Sequence, residues 1–405
     1  MGGMSSGGLS SARLDRMHDV MAAHVERGAV PGVVALIWRR GHVHVETIGD
    51  EAVGGDPIRP DTIFRITSMT KPVTAVAAMI LVEECKLRLD DPVDELLPEL
   101  ADRRVLSRLD GPLDDTVPAS RPLTLRDLLT FRMGFGMVPG PADQYPIVAA
   151  TDELGVRGIG FPLPPIALEP DEWIRRLGTL PLMRQPGETW MYNTGSCVLG
   201  VLIARAAGQP FGDFLQERIF EPLGMSDTGF FVPEDKLDRF ATSYAPDPET
   251  GGLRVLDGVE DSAWAQPPAF PDGGAGLVST ADDFVLFGEM MLNGGRCGGE
   301  RILSRPSIAT MTTDQLTPAQ KAGAGFLPGY WDNRGWGFGV SVVTGRDDLA
   351  AVPGRFGWDG GFGTSWFSDP AEEMIGILMT QRAEFPPVNP VYLDFWTSAY
   401  QAIDD

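Results

Sequence analysis

The chain has 405 residues, of which 43% are hydrophobic, and a formal net charge of −23 at pH 7. A chain of this length and composition can bury a large core, and it is long enough for two closely packed domains. The negative charge argues against nucleic acid and anionic membrane surfaces as partners, because both require basic patches.

The N-terminal residues 1–10 are rich in glycine and serine, and we expect a flexible tail there. No secretory signal and no membrane-spanning run is visible. The three cysteines, Cys85, Cys197 and Cys297, are far apart, which predicts free thiols in a reducing compartment and no structural metal. The expected location is the cytoplasm.

The chain opens with a helix and an antiparallel hairpin. Apolar residues recur at helical spacing over residues 10–27, and residues 33–38 form a buried strand. After a tight turn, residues 42–49 alternate as its half-exposed partner strand.

All four histidines lie within this opening, and none follows His44. His42 and His44 share one strand face, where histidines are more often solvated than metal-bound. A Ser/His/Asp triad or a histidine metal site would have to recruit this hairpin. The role of general base therefore falls on a lysine, a tyrosine or a carboxylate, and we expect neither a metal nor a cofactor.

A central buried helix follows, since residues 73–82 are almost all apolar. Pro72 is tolerated only in a first turn, so the helix begins close to Ser68. Lys71 lies three residues after Ser68 and shares its helical face. The spacing alone is weak evidence, but an unpaired ammonium in an apolar helix costs several kcal/mol. This favours a functional serine and lysine over a structural pair.

The middle of the chain predicts helices and one long irregular segment. Residues 123–129 form a short helix capped by Thr124, and residues 171–180 and 199–219 form further helices, the second of them broken at residues 208–210. Residues 139–170 are rich in proline and glycine without periodicity, which predicts a lid or the wall of a cleft.

The C-terminal part returns to strands. A helix starts at the hydroxyl and acidic residues 279–283, best explained as N-caps, with catalysis as the alternative. The strands and the last helix that we predict are residues 337–344, 364–368, 374–380 and 389–403. Strands at both ends imply an α/β sheet domain of residues 11–88 and 266–405, with an inserted helical domain of residues 89–265.

Two further stretches are candidates for a site. In residues 184–195, Tyr192 stands beside Asn193 and Thr194, so a hydrogen-bonding cluster competes with a plain core tyrosine. Residues 356–364 place four glycines around Trp358. Either another group approaches this backbone closely or the segment is a simple turn.

Taken in order, these three stretches resemble the serine β-lactamase and penicillin-binding-protein superfamily, especially its class C β-lactamase-like esterase branch (family VIII). Family-like segments are residues 62–68, 128–130, 186–187 and 276–282. The resemblance implies a β-lactamase-like fold, with an antiparallel sheet domain, flanking helices and an inserted helical domain. It also implies that Ser68 is the acylated nucleophile, that Lys71 helps to deprotonate it, and that Tyr192 shares the proton transfers. The N–H groups of Ser68 and Gly361 would form the oxyanion hole.

Two departures from the family pattern concern substrate binding. Thr194 replaces an asparagine that contacts the acyl side, and Trp358, Asp359 and Gly360 replace a Lys-Thr-Gly element whose lysine pairs with a substrate carboxylate. The expected activity is therefore hydrolysis of small neutral carboxylic esters through an acyl-enzyme. A β-lactamase, a D-amino-acid peptidase, an amidase, an acyltransferase and a catalytically silent binding protein are the alternatives.

Overall fold

The structure is a computed structural model that describes residues 7–138, 144–156, 163, 165–384 and 389–405. The α-helices are, in chain order, α1 (Ser11–Glu26), α2 (Thr70–Glu83), α3 (Leu125–Leu129), α4 (Pro146–Glu153), α5 (Pro170–Thr179), α6 (Thr194–Ala207), α7 (Phe211–Leu215), α8 (Glu221–Leu223), α9 (Ala281–Leu292), α10 (Arg305–Met311), α11 (Pro318–Ala322) and α12 (Pro390–Gln401).

The strands are, in the same order, β1 (Gly32–Arg39), β2 (His42–Gly49), β3 (Phe64–Arg65), β4 (Arg104–Leu106), β5 (Thr116–Pro118), β6 (Ser243–Pro246), β7 (Leu253–Asp257), β8 (Val278–Ser279), β9 (Arg296–Cys297), β10 (Glu300–Arg301), β11 (Arg334–Trp336), β12 (Ser341–Val343), β13 (Phe356–Gly360), β14 (Thr364–Asp369) and β15 (Met374–Thr380).

In the described part of the chain, the main sheet has seven strands in the order β11-β12-β13-β14-β15-β1-β2. All its neighbouring strands are antiparallel. The two ends of the chain meet where β1 pairs with β15, with Val33 opposite Thr380. The predicted antiparallel sheet built from both ends of the chain is confirmed.

Helices cover both faces of this sheet, and two glycines allow the close approach. On one face, a Cβ on Gly288 of α9 would lie 2.7 Å from the Trp366 indole nitrogen of β14. On the other face, a Cβ on Gly376 of β15 would lie 2.4 Å from the Trp396 ring of α12. The backbone of α9 therefore packs directly on sheet side chains, and the Trp396 ring of α12 packs directly on the backbone of β15.

The predicted central helix is confirmed as α2. Every residue from Thr70 to Leu81 is buried. A short 3-10 turn, Thr67–Met69, precedes it, so Pro72 falls in the first turn of α2. Thr67 has a φ of +40°, a conformation that costs a non-glycine residue free energy and is common next to functional residues.

Two predicted elements differ from the structure. Residues 139–170 contain the helix α4, whose Ile147 and Val148 are buried, so the prediction of an irregular segment is wrong there. The strand predicted over residues 337–344 is interrupted by a tight turn in which Gly337 N–H donates to the Val340 carbonyl.

The glycine-rich residues 356–360 form a strand, β13, and not a simple turn. A Cβ on Gly357 would lie 2.1 Å from the Trp366 carbonyl, and a Cβ on Gly360 would lie 2.3 Å from the Ile66 carbonyl. The predicted close approach of other groups to this backbone is confirmed.

The described residues of the predicted tail contact the end of the chain. Leu9 is buried and forms a β-bridge with Ile403. Cys85, Cys197 and Cys297 are free thiols. Among the described helices, none combines the length and hydropathy needed to cross a bilayer.

Candidate active site

The hydroxyl of Ser68 receives two hydrogen bonds from side chains that are distant from each other in sequence. Lys71 Nζ lies 2.9 Å from Ser68 Oγ, and the Tyr192 hydroxyl also lies 2.9 Å from it. Lys71 reaches the hydroxyl because residues three apart on a helix lie on one face. Tyr192 reaches it from the segment that leads into α6.

Lys71 is fully buried. Besides Ser68, its ammonium donates to the Gly274 carbonyl at 2.7 Å and lies 4.5 Å from the centroid of the Tyr192 ring. Thus a backbone oxygen and an aromatic face stabilise the buried charge, and both fix the position of Nζ beside Ser68.

A buried polar turn holds the Gly274 carbonyl in place. One carboxylate oxygen of Asp272 accepts from the Gly274 N–H at 2.7 Å and from the Cys197 thiol at 3.1 Å. Burial raises the pKa of the Cys197 thiol well above its usual range. Sequence reasoning missed this turn. The only signal was the pair of glycines after Asp272, residues 273–274.

Tyr192 precedes α6 and is followed by Asn193 with a φ of +88°. The indole N–H of Trp358 donates to the Tyr192 hydroxyl at 2.8 Å. This hydroxyl therefore accepts from Trp358 and donates to Ser68. The ring of Tyr192 stacks on Trp190 at 5.5 Å between centroids, which fixes its orientation.

Gly360 and Gly361 differ in their surroundings. A Cβ on Gly360 would lie 2.3 Å from the Ile66 carbonyl, so this glycine lets β13 approach the turn before Ser68. A Cβ on Gly361 would meet no atom within 4 Å, and Gly361 borders a cavity of about 400 Å³ together with Ser68.

This cavity contains most of the predicted site. Its walls include Tyr192, Trp358 and Asp359 in addition to Ser68 and Gly361. Lys71, Thr194 and Gly360 are absent from its described lining. Lys71 lies behind Ser68, and Thr194 is fully buried as the first residue of α6.

Asp359 points a carboxylate oxygen at Ser365, whose hydroxyl donates to it at 2.6 Å. The Trp396 indole N–H in turn donates to the Ser365 hydroxyl at 3.1 Å. Burial raises the pKa of Asp359 to about 6. This carboxyl group can therefore change its charge in mildly acidic solution.

One wall of the cavity comes from a segment that sequence reasoning did not single out, residues 326–334. Phe326 and Tyr330 lie on this wall, and the Tyr330 hydroxyl donates to Ser341 at 2.8 Å. The available signal was the concentration of aromatic residues and glycine in this stretch.

The predicted cleft wall from residues 139–170 is not found in the described lining, although residues 139–143, 157–162 and 164 of that segment lie outside the described residues. The part of the chain that the structure describes also holds no group of three or more His, Cys, Asp or Glu side chains placed to bind a metal ion.

Comparison with known proteins identifies the family of the chain. The model of the family described as Beta-lactamase matches residues 17–399. Esterase EstB of Burkholderia gladioli is 32% identical, and the match covers 92% of this chain and 91% of EstB. Lovastatin esterase of Penicillium rubens is 28% identical, over 89% of this chain and 91% of its own. A solved structure, "EstCE1, a hydrolase with promiscuous acyltransferase activity", superposes with a TM-score of 0.79 at 26% identity and covers 96% of this chain and 98% of its own.

Proposed function

This chain belongs to the beta-lactamase family, and we propose that it hydrolyses small neutral carboxylic esters through an acyl-enzyme on Ser68. The observation that carries the proposal is the convergence of Lys71 Nζ and the Tyr192 hydroxyl on Ser68 Oγ, each at 2.9 Å. A nucleophile within hydrogen-bond reach of a base, which a third group orients, is the arrangement that nucleophilic catalysis requires.

In the first half-reaction, Ser68 Oγ attacks the ester carbonyl carbon while its proton passes to the Lys71/Tyr192 pair, which accepts it in the form with one proton fewer, as the neutral Lys71 amine or the Tyr192 phenolate. The N–H groups of Ser68 and Gly361, both at the cavity wall, stabilise the oxyanion. The intermediate collapses as the C–O bond to the alcohol breaks, and the pair returns the proton to the leaving alkoxide. An acyl group remains on Ser68.

In the second half-reaction, the same groups act on water. The pair takes a proton from the water molecule as its oxygen attacks the acyl carbon, and then returns this proton to Ser68 Oγ when the acid leaves. Lys71 and Tyr192 contact the same oxygen and each other. Because both groups lie within hydrogen-bond reach of Ser68 Oγ, we assign the proton transfers to the pair and not to one member.

The preference for neutral esters rests on Trp358. Its ring borders the cavity where a cation would be needed to bind a carboxylate next to the reacting carbonyl. Its one polar hydrogen is already donated to Tyr192. A carboxylate at this position would thus lose its hydration without gaining a partner, which disfavours β-lactams and acidic peptides.

Acyl transfer to an alcohol other than water is the second candidate. The cavity wall beside Ser68 is aromatic, with Tyr192, Phe326, Tyr330 and Trp358. An apolar wall favours an organic alcohol over water as the second substrate. The structurally similar EstCE1, a hydrolase with promiscuous acyltransferase activity, supports this candidate.

A protein that only binds a ligand would have little use for a buried lysine beside a serine, since burying the ammonium is costly. The β-lactamase, D-amino-acid peptidase and amidase alternatives use the same nucleophile and differ in substrate. We further propose a cytoplasmic enzyme, supported by its three free thiols.

The test of the acyl-enzyme is labelling with a fluorophosphonate, followed by mass spectrometry of the peptides. We expect one adduct on Ser68 in the folded wild type and none in Ser68→Ala, whose turnover of p-nitrophenyl butyrate should be abolished. Folded wild type that hydrolyses the ester without a Ser68 adduct would overturn the mechanism. A panel of esters, amides and β-lactams then ranks the substrate classes.

A further inference from the structure

The end of the cavity away from Ser68 contains buried hydrogen-bond donors that lack acceptors. Within the described residues, Arg355 Nε and Nη2 and Asn333 Nδ2 are buried and have no partner. Both residues line the same cavity as Ser68, and so does Arg334. Buried donors are nearly always satisfied in proteins, so a group of three at one cavity indicates an acceptor that the protein itself does not supply.

The other buried arginines of the described chain have acceptors. Arg39 pairs with Asp405 at 2.8 Å, and Arg65 pairs with Asp257 at 2.5 Å. Arg103 has no carboxylate and its Nε has no partner, but its other two nitrogens donate to the carbonyls of residues 177, 178 and 180. Arg355 is 4% exposed and donates from one nitrogen only, to the Ala350 carbonyl at 2.7 Å. Among the buried arginines of the described residues, Arg355 therefore has the fewest acceptors.

Aromatic rings position the Arg355 guanidinium without supplying a negative charge. Its central carbon lies 3.9 Å from the Trp396 ring centroid and 4.2 Å from that of Phe367. Ring faces stabilise a cation but leave its in-plane N–H groups without acceptors. The rings thus hold a planar donor fork at a fixed orientation, which is the geometry that recognises a carboxylate.

The acidic residues nearby do not neutralise the two arginines. Neither Arg334 nor Arg355 forms an ion pair with any described residue within 4.0 Å. Asp359 lies on the same wall and interacts electrostatically with both arginines, but it forms no ion pair with either within 4.0 Å, and one of its carboxylate oxygens accepts from the Ser365 hydroxyl. Asp348, which also borders the cavity, is exposed to solvent.

We propose that this end of the cavity, formed by Asn333, Arg334 and Arg355, binds a carboxylate on the part of the substrate remote from the ester. The proposal rests on the ester hydrolysis proposed above and extends its substrates to half-esters of dicarboxylic acids, whose reacting end is neutral and whose carboxylate follows an apolar spacer. Trp358 follows Arg355 by three residue steps along an extended segment, which corresponds to roughly 10 Å between their Cα atoms. The aromatic wall of Phe326 and Tyr330 lines the space between.

This preference is compatible with a neutral reacting end. A carboxylate adjacent to the scissile carbonyl would meet the Trp358 ring, whereas a carboxylate at the end of a spacer would meet two guanidinium groups. The position of the charge, and not its presence, would decide whether an ester is a good substrate.

The experiment compares mono-p-nitrophenyl suberate with its methyl ester, which has the same chain and leaving group but no charge. The measured quantity is the ratio of the two kcat/KM values. A charge-assisted hydrogen bond predicts a wild-type ratio of roughly 10 to 100. The ratio should fall toward about one in Arg334→Gln and in Arg355→Met, which retains an apolar stem between the rings.

The matched control is Arg346→Gln, an exposed arginine outside the described lining of the cavity, which should keep the wild-type ratio. A wild-type ratio near one, or a high ratio that survives both cavity variants, would overturn the subsite. If Arg355→Met does not fold, Arg334→Gln alone decides.

Failure of the subsite and failure of the proposed function can be told apart by calorimetric titration of monomethyl suberate into the Ser68→Ala protein. Binding that Arg334→Gln removes supports the subsite even if no ester is turned over. Absence of binding in that titration overturns the subsite, even if neutral esters are hydrolysed.

Discussion

Two helices in this molecule begin at runs of hydroxyl residues and use them differently. At the start of α9, the Thr280 hydroxyl accepts a hydrogen bond from the Asp283 N–H at 3.0 Å, as an N-cap does. Before α2, the Ser68 hydroxyl makes no capping bond, and its oxygen accepts from Lys71 and Tyr192 instead. One hydroxyl stabilises its helix, and the other is available for chemistry.

The backbone explains the difference. Thr280 has a φ of −109° and a ψ of 166°, the extended conformation from which a side chain can reach the first-turn N–H groups. Ser68 lies inside a 3-10 turn and follows Thr67, whose φ is +40°. Strain of this kind costs about 1–3 kcal/mol, so the surrounding packing must impose it. A serine placed in this way cannot serve as a cap.

The contrast between the catalytic hydroxyl of Ser68 and the capping hydroxyl of Thr280 is tested most strongly by removing the partners of Ser68, which should have the largest effect on turnover. Lys71→Ala and Tyr192→Phe should each lower kcat/KM for p-nitrophenyl butyrate by at least about two to four orders of magnitude, because the two groups act as one proton-transfer unit. Circular dichroism and thermal unfolding of both variants should report an intact fold.

The control for this prediction is the double variant, which should be no more than about tenfold slower than the worse single variant, since residues of one unit are not additive. Near-normal turnover in either single variant would show that the proton moves by another route.

An intermediate effect concerns Trp358. Trp358→Lys should raise kcat/KM for a cephalosporin relative to a short-chain p-nitrophenyl ester by about one to two factors of ten, since an ammonium offers a charge-assisted hydrogen bond to the lactam carboxylate. Trp358→Phe also removes the hydrogen bond to Tyr192 but adds no charge. It therefore separates the effect of the lost hydrogen bond from the effect of the new ammonium. A wild type that cleaves the cephalosporin as efficiently as the ester would contradict the assignment to esters.

Much of the fold was predictable because its strongest signals are local. Residues 73–82 of α2 and residues 33–38 of β1 are almost continuous apolar runs, which indicate a helix and a strand buried on most sides. The turn over residues 337–340 and the helix α4 were mispredicted. In both segments, tertiary contacts determine the conformation of the glycine and proline residues. For example, a Cβ on Gly337 would lie 1.9 Å from the Met311 carbonyl oxygen, so only glycine fits there.

The site was predictable where the chain itself brings the groups together, and less so elsewhere. Ser68 and Lys71 share a helix face, so their contact follows from spacing. The bond from Trp358 to Tyr192 joins residues 166 positions apart, and no local pattern encodes it. The Asp272 turn and the unpartnered donors of Arg355 could not be predicted for the same reason, since both depend on which elements pack against each other.

The smallest effect tests the capping side of the contrast. Thr280→Ala should lower the free energy of unfolding by about 1 kcal/mol, the usual cost of a lost N-cap, and Thr280→Ser should restore it. Thr124→Ala should cost a similar amount, because Thr124 forms the same kind of bond at α3. Ser68→Ala, which removes no cap, should change stability by less than about 0.5 kcal/mol.

Urea unfolding measures the free energy of unfolding of all four variants. In the three threonine variants, kcat/KM for p-nitrophenyl butyrate should stay within about twofold of the wild-type value. If Thr280→Ala instead lost more than tenfold in turnover at unchanged stability, its hydroxyl would take part in the chemistry, and the two helix starts would not differ in the way their geometry indicates.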